Sequence, residues 1–590
     1  MKYDKEHVRE LARGYALLNA VEHGGKAAIG PVMGKIIAKE PVLKKYAKEI
    51  VEIVREIVEE VNRLSINEQK ELLEENYIWI IDEQKLKRKE FEKKLPPLPN
   101  VGESVVTRFA PNPDFIIHLG NARPAILSYE YAKMYKGKMI LRFEDTDPRI
   151  KKPLPEAYHL IREDLKWLGI SWDEEYIQSL RLYIYYDYAR KLLEKGGGYI
   201  DNNPVEVYRR YRDSGTLERY PPRMRTVEDN LELWDKMLEG HFSEGEAVYR
   251  VKTDPNFRDP SVRDWVALRI IDTSKNPHPL VGDKYIVWPT YNFAAAIDDH
   301  LMGVTHILRA REHMQNTTKQ KFLYEHFKWE YPNVIHFGRL KLEDMVMSKS
   351  AIKDLIMKGE AIGLDDPRFA TIAGLRRRGV KPQAIRELIL EVGIKQSDAK
   401  ISYVNLASLN KSIIDSQSIR LMATIDPIPL SITNIPWRDR KFKIPLHPSG
   451  KLGHRDITVS GPNLKLLVSS SDLELFKSNK LIRLMELFNV EILDVSRDKV
   501  EARYHSDELD IARKHGAPII QWVLPQTSIE IELIYIKGLK FVTKKGAIEN
   551  YASRLRKDEV IQMIRIGFAK LDQIKKTDEG MLQKYLFLHE

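Results

Sequence analysis

Residues 104–143 narrow the fold of this chain more than any other stretch. Ser104-Val105-Val106-Thr107-Arg108-Phe109-Ala110 reads as a buried strand, and a turn rich in Pro and Asn follows. From Gly120 to Tyr135 the pattern predicts a helix, stopped by Lys136-Gly137, and Met139-Ile140-Leu141-Arg142-Phe143 predicts a second strand. Strand, turn, helix and strand in that order imply a parallel, doubly wound sheet. Its sites lie at the carboxyl ends of the strands. A second unit of this kind is predicted after residue 280. Tyr285-Ile286-Val287-Trp288 would be its strand, a helix would run from Asn292, and Val334-Ile335-His336-Phe337 would be a later strand.

The turn in the first unit carries a motif, Pro111-Asn112-Pro113-Asp114-Phe115-Ile116-Ile117-His118-Leu119-Gly120-Asn121. It puts a His and a Gly at a strand-to-helix turn, where backbone N–H groups and the helix dipole hold phosphates. A second motif, Met347-Ser348-Lys349-Ser350, offers a lysine on a loop for a leaving pyrophosphate. A His at a helix start is commonly a cap, and a Lys among serines is commonly a surface residue. Found in this order, with Arg142-Phe143-Glu144-Asp145-Thr146-Asp147-Pro148 after the first, the two suggest ATP-dependent activation of a carboxylate. Asp145 and Asp147 form an Asp-x-Asp pair that could suggest Mg²⁺, but ordering the loop is the better reading. Asp298-Asp299-His300 reads as a structural polar cluster rather than a metal site.

Composition removes several classes. The chain has no cysteine, so disulfides, thiolate zinc sites and cysteine nucleophiles are excluded. No apolar run is long enough for a membrane helix, and residues 1–6 lack the apolar stretch of a signal peptide, so a cytoplasmic location is expected. A net charge of +10 with 85 acidic residues describes a charge-rich surface, compatible with a phosphate-bearing partner.

At 590 residues the chain needs several domains. Residues 1–95 read as a helical extension, with Leu43, Tyr46, Ile50, Ile53, Val54, Ile57, Val58 and Val61 at helical spacing. A charge-dense stretch, 82–94, leads into a linker, Leu95-Pro96-Pro97-Leu98-Pro99-Asn100. Residues 101–351 form the parallel-sheet domain, interrupted at about 200–280 by an insertion where arginines alternate with tyrosines. That mixture suits stacking and phosphate contact, or a solvated face, about equally. Residues 352–425 read as helical, and 426–590 as short strands suited to β-barrels, such as Leu464-Lys465-Leu466-Leu467-Val468 and Ile529-Glu530-Ile531-Glu532-Leu533-Ile534-Tyr535.

Taken together the motifs resemble the class I aminoacyl-tRNA synthetases, in the glutamyl branch of archaeal type. Ile444-Pro445-Leu446-His447-Pro448 and Ala517-Pro518-Ile519-Ile520-Gln521-Trp522-Val523 are similar to segments of that branch's β-barrel anticodon-binding domain. The resemblance implies a multidomain α/β plus β protein. Its parts would be a helical N-terminal extension, a Rossmann-type catalytic domain with an acceptor-binding insertion, a helical stem-contact region and a C-terminal anticodon domain. It implies attachment of L-glutamate to tRNA(Glu) through a glutamyl-adenylate, with Mg²⁺ as Mg-ATP and no zinc. Charging of tRNA(Gln), glutamine as substrate, and a tRNA-binding paralogue with impaired catalysis are the alternatives. The extension would contact tRNA or a protein partner, or simply pack.

By the same resemblance His118, Gly120, Asn121 and Lys349 are catalytic. Pro111, Asn112, Pro113, His118, Gly120, Asn121, Met347, Ser348, Lys349 and Ser350 bind ATP. Arg108 and Arg309 read the glutamate carboxylate, Tyr291 and Asn292 line the pocket, Glu144 meets the ammonium and Ala110 lies beside the substrate. Four residues depart from the family pattern: Asn121 stands for a His and Val346 for a Lys, and the pattern has Ser or Thr and then Gly at Asp114 and Phe115. An acid there is expected to sit awkwardly beside a triphosphate, and Phe115 to crowd the nucleotide.

Overall fold

The computed structural model describes residues 3–22, 25–77, 79–80, 95–578 and 580–590. The charge-dense stretch 82–94 lies outside the described residues. The chain divides into two compact units, Met1–Pro96 and Pro97–Glu590.

The first unit is helical: Lys5–Glu22, Ile29–Lys39, Ala47–Arg63 and Ile66–Asn76. Ile50, Val54, Ile57, Val58 and Val61 fall on one face of the third helix and are buried there, as their spacing predicts. The fourth helix starts with a capping box. Ser65 Oγ accepts from the Glu68 amide and the Glu68 carboxylate accepts from the Ser65 amide.

In the second unit the parallel sheet holds strands Val106–Phe109, Lys138–Phe143 and Glu174–Ile177. The helix Leu119–Met134 connects the first two strands. On the other side of Val106–Phe109 lies a second parallel pair, His306–Ala310 with Asn333–Phe337. The two are joined where the Thr305 amide donates to the Val106 carbonyl at 2.9 Å. The carboxyl ends of Val106–Phe109 and His306–Ala310 therefore lie side by side. The proline segment is fastened to this sheet: the Leu98 amide donates to the Tyr135 hydroxyl at 2.8 Å and His306 Nε2 meets the Pro99 carbonyl at 2.8 Å.

One expectation fails here. Val287–Pro289 is not a strand of the parallel sheet. It is the edge of a four-stranded antiparallel sheet with Gly198–Asp201, Val248–Val251 and Val266–Ile270. Trp288 is fully buried in that sheet's core beside Trp234 and Tyr249. A short apolar run fits either kind of sheet, and only its partners decide. The inserted sheet thus extends to the start of the helix Tyr291–Leu301.

Past the parallel sheet come helices Lys349–Met357, Ile372–Arg378, Pro382–Val392 and Tyr403–Ile414. A short strand, Ala399–Ile401, runs parallel to Leu340–Leu342. The rest is two barrel-like sheets and a separate antiparallel pair, Asp439–Pro445 with His454–Ser460. In the six-stranded one, order Leu464–Ser469, Pro427–Thr433, Val500–Ser506, Asn489–Val495, Leu481–Leu484, Ile519–Ile520, an antiparallel bridge from Leu467 to Val523 joins the ends. The seven-stranded sheet begins with Arg420–Leu421 and ends with Ala423–Ile425, so its two edges meet at Met422. Closure of this kind removes free strand edges.

Candidate functional site

The cleft at the carboxyl ends of the parallel strands has a volume of about 370 Å³. It brings together Arg108, Ala110, Pro111, Asn112, His118, Gly120, Asn121, Glu144, Tyr291 and Arg309 from segments distant in sequence.

At one end the chemistry is cationic and buried. Arg309, at the end of its strand, is 4 % exposed. Its Nη1 and Nη2 donate to Gln320 Oε1 at 3.1 Å, to Thr317 Oγ1 at 2.6 Å, to the Tyr331 hydroxyl at 3.0 Å and to the Tyr291 hydroxyl at 3.4 Å. All these acceptors are neutral, and Nε has no partner. Arg108 donates from Nε to Asp299 Oδ1 at 3.3 Å, while its buried Nη2 is unpartnered. Two guanidiniums held apart from full neutralisation can receive a carboxylate.

Arg142, with no exposed surface, links these groups. It donates to Glu144 Oε1 at 2.9 Å and to Asp299 Oδ1 at 2.8 Å. Burial raises the Asp299 pKa, but Arg108 and Arg142 outweigh it and hold the carboxyl below its ordinary range. Burial wins at Glu144, which is pushed up despite the same two arginines. Asp298 accepts from Gln178, Arg181 and Tyr185 at 3.0, 3.1 and 2.7 Å. His300 stacks on Trp329 at 3.6 Å. Asp298-Asp299-His300 is therefore part of the sheet's polar scaffold. Asp145 is likewise spent, on the Tyr158 hydroxyl at 2.6 Å and the Ser179 amide and hydroxyl at 2.8 and 2.7 Å. Asp147 pairs with Arg269 at 2.9 Å.

At the other end, His118 caps the helix Leu119–Met134. Its Nδ1 accepts from the Gly120 amide at 3.0 Å, which fixes the ring over the first turn. Burial lowers its pKa to about 4, so it is neutral at working pH, with the proton on Nε2 and free to donate. A Cβ on Gly120 would lie 2.8 Å from His118 Cε1 and 3.4 Å from Met347 Cε, so the glycine is needed for this packing. The extended segment through Phe369, Ala370 and Thr371 runs between the two motifs. Ala370 donates to the Val346 carbonyl at 2.8 Å and accepts from the Leu119 amide at 2.9 Å, and Ile372 donates to Ile117 at 2.9 Å.

Several predicted residues stand elsewhere. Pro113, Met347, Ser348, Lys349 and Ser350 do not line the cleft. Met347 packs beside Gly120, and the Leu342 amide contacts its sulfur at 3.0 Å. Lys349 begins its helix and its ammonium pairs with Asp114. Asn292 belongs to a neighbouring pocket with Tyr208, Arg212 and Lys319, and donates to Asn316 Oδ1 at 3.1 Å. Phe115 does not crowd the nucleotide site. It is buried away from the cleft with Ile116, Ile352 and Phe369. Asp114 is not a bare charge either, since Lys349 neutralises it.

Sequence reasoning missed Arg142, Arg123, Glu312, His313 and Arg339. Arg123 is buried and donates to the Gly338 carbonyl at 2.6 Å and the Gly393 carbonyl at 3.1 and 2.7 Å, fixing the cleft floor. An arginine inside an otherwise apolar helix face was the available signal for it.

Residues 104–416 match the family model of class I tRNA synthetases (E and Q), catalytic domain, and 418–507 match that family's anti-codon binding domain. The chain is 62% identical over 575 residues to a glutamate–tRNA ligase of Hyperthermus butylicus, covering 97% of this chain and 100% of the relative. It is 50% identical to the glutamate–tRNA ligase of Pyrococcus furiosus, over 96% of this chain and 98% of that one. The chain belongs to the class I glutamyl and glutaminyl synthetases, among the archaeal glutamate–tRNA ligases. Among solved structures, a glutamate tRNA ligase from Elizabethkingia meningosepticum aligns with 25% identity and a TM-score of 0.40, covering 54% of this chain and 70% of that chain. As a family member the chain carries a class I catalytic domain followed by an anticodon-binding domain. No helix among the described residues is long and apolar enough to cross a membrane.

Proposed function

We propose that the cleft activates L-glutamate with ATP and passes it to the 3′ end of tRNA(Glu), releasing AMP and pyrophosphate. The observation that carries this is the pair of buried arginines, Arg108 and Arg309, each with an unpartnered nitrogen, at one end of a cleft whose other end is a histidine-capped helix N-terminus. Arg309 meets the side-chain carboxylate of glutamate. Its surrounding oxygens are neutral, so a bound carboxylate supplies the missing counter-charge. A glutamine amide would leave the guanidinium uncompensated, which disfavours glutamine as substrate. Glu144 takes the ammonium group, and Ala110 leaves room beside it.

The substrate α-carboxylate attacks the α-phosphate of ATP, and a ribose hydroxyl of the tRNA then attacks the adenylate carbonyl. No protein nucleophile is required; positioning and charge stabilisation carry both steps. His118 Nε2–H donates to the phosphates, the amides after it add their dipoles, and Pro111, Asn112 and Asn121 shape the nucleotide wall. Lys349, Ser348 and Ser350 serve the pyrophosphate. Two acids of the loop after the second strand are committed, Asp145 to Tyr158 and Ser179 and Asp147 to Arg269. Among the described residues no group of three or more His, Asp or Glu could hold a metal ion. Magnesium would enter as Mg-ATP, carried by the phosphates.

The helical part of residues 352–425, which ends before the strands at Arg420–Leu421 and Ala423–Ile425, would lie along the tRNA stem and the antiparallel insertion against its acceptor end. A barrel cleft of about 560 Å³ is lined by Arg455, Trp522, Glu549 and Tyr551, and Arg455 Nη2 is buried without a partner. It suits one stacked, hydrogen-bonded base. The N-terminal unit is open to a further tRNA or protein contact.

Pyrophosphate exchange tests the reading. Exchange that depends on glutamate and not on glutamine supports it. Equal exchange with both amino acids, or none with either when tRNA is present, overturns it.

A further inference from the structure

Asp114 is the residue the family pattern does not account for, and its surroundings give it work to do. Its carboxylate accepts from Lys349 Nζ, across 235 residues of sequence. The backbone under Asp114 is pinned from several sides. Its own amide donates to Asn112 Oδ1 at 3.0 Å, the Leu154 amide donates to the Pro113 carbonyl at 2.9 Å, and Phe115 is buried against Ile352 of the lysine's own helix. The anchor is therefore fixed and the ammonium is the mobile partner, on a four-carbon stem with 36% of its side chain exposed. Asp114 adjoins the cleft, because Pro111 and Asn112 of the same turn line it, while Lys349 does not. Among the described residues Lys349 has no other ion pair.

An ammonium serves one strong anion at a time. A single carboxylate of charge −1, in a pair whose side chains are 36% and 14% exposed, holds it less strongly than the β- and γ-phosphates of ATP, which carry more charge on more oxygens. We propose that Asp114 is a positioning residue for Lys349: it parks the ammonium beside the nucleotide wall, yields it to the polyphosphate when ATP binds, and takes it back as pyrophosphate leaves. This rests on the assignment of Lys349 to the pyrophosphate made above. The exchange is one of ionic partners, and no covalent bond is made or broken. The acid that looks misplaced beside a triphosphate is on this view a placeholder for it.

The full-length protein tests this by pyrophosphate exchange with saturating glutamate. Asp114→Asn removes the competing charge and keeps the shape. It lowers the KM for ATP about fivefold (roughly 1 kcal/mol for such a pair), tightens product inhibition by pyrophosphate by a similar factor, and does not raise kcat. Asp114→Glu restores the wild-type values. In a Lys349→Ala background Asp114→Asn leaves the ATP KM unchanged, because the carboxylate acts only through that lysine. A rise in ATP KM on Asp114→Asn overturns the proposal, since the carboxylate would then serve the nucleotide directly. An equal fall in the Lys349→Ala background also overturns it, as a loop effect. Lys349→Ala with unaltered ATP kinetics removes the assignment of Lys349 itself, and the parking role with it.

Discussion

The two ends of the cleft are built on opposite principles. At the arginine end Arg108, Arg142, Asp299 and Arg309 are each at most 5 % exposed; Arg108 and Arg142 are held by Asp299, and Arg309 by Gln320, Thr317 and Tyr331. At the lysine end the Ser348 and Ser350 hydroxyls have, among the described residues, no side-chain partner but each other, at 2.9 Å, and the Lys349 ammonium pairs with one carboxylate. Selecting a small charged substrate calls for donors set before it arrives, because reorganising them would consume the selectivity. Handling a leaving group that must depart calls for contacts that let go. The contrast divides the site into a template and a movable arm, and each half can be broken on its own.

The largest effect belongs to the template. Arg309→Ala is expected to lower kcat/KM for glutamate by about 10³-fold, on the order of 4 kcal/mol for truncating a buried charged partner. The ATP KM should hold. A comparable rise in ATP KM would mean the two ends are not separate. Next comes the scaffold behind it. Asp299→Asn strips the counter-charge shared by Arg108 and Arg142, and stability is expected to fall by about 3 kcal/mol, seen as a lower denaturant midpoint. On the arm's side, Phe115→Ala opens the apolar cluster under Asp114, at about 3 kcal/mol of stability. It should not improve ATP use, as a crowding Phe115 would require.

The smallest effect is acid sensitivity. His118 has a folded-state pKa of about 4, below its unfolded value near 6.5, because burial disfavours the charged ring. The folded chain therefore binds fewer protons than the unfolded chain in that window. Its stabilising contribution is intact above pH 6.5, declines as pH falls towards 4, and is level below. By pH 5.5 the loss is about 1 kcal/mol for this half-buried ring. His313 and His336, lowered to about 4 by burial and by Arg309, act in the same direction. The ATP KM should show no inflection between pH 6 and 7.5, and one there would mean that His118 titrates in the working range.

How much of this was legible depends on the range of the interaction. The first strand, turn and helix could be read from local periodicity, and so could the helical face of residues 50–61 and strands such as Leu464–Ser469 and Ile529–Lys537. Those patterns are set by a 3.6- or 2-residue repeat. Val287–Pro289 was assigned to the wrong sheet because an apolar run does not name its partner. Phe115 was misjudged because a motif position says what is near in sequence, and its ring turned towards Ile352 and Phe369. Of the buried arginines around the cleft, Arg108 and Arg309 were named by resemblance. Arg142, which holds Asp299 and Glu144 in place, was not, since a buried charge reveals itself only once its partners are positioned.

The ribbon at Phe369–Thr371 that joins the two motifs has a consequence for how the protein is made. Leu119 and Ile117 can find Ala370 and Ile372 only after the ribosome has released the chain that far. At roughly 5–20 residues per second, the 235 residues from Asp114 to Lys349 take on the order of 10–50 s to synthesise. Through that interval the helix capped by His118 waits with Ile116 uncovered, and the four-stranded insertion sheet can fold in the meantime. The junction between the two motifs is thus among the last parts of the catalytic domain to close, and a nascent chain stalled before residue 349 has the residues that line the cleft without the segment that ties its two motifs together.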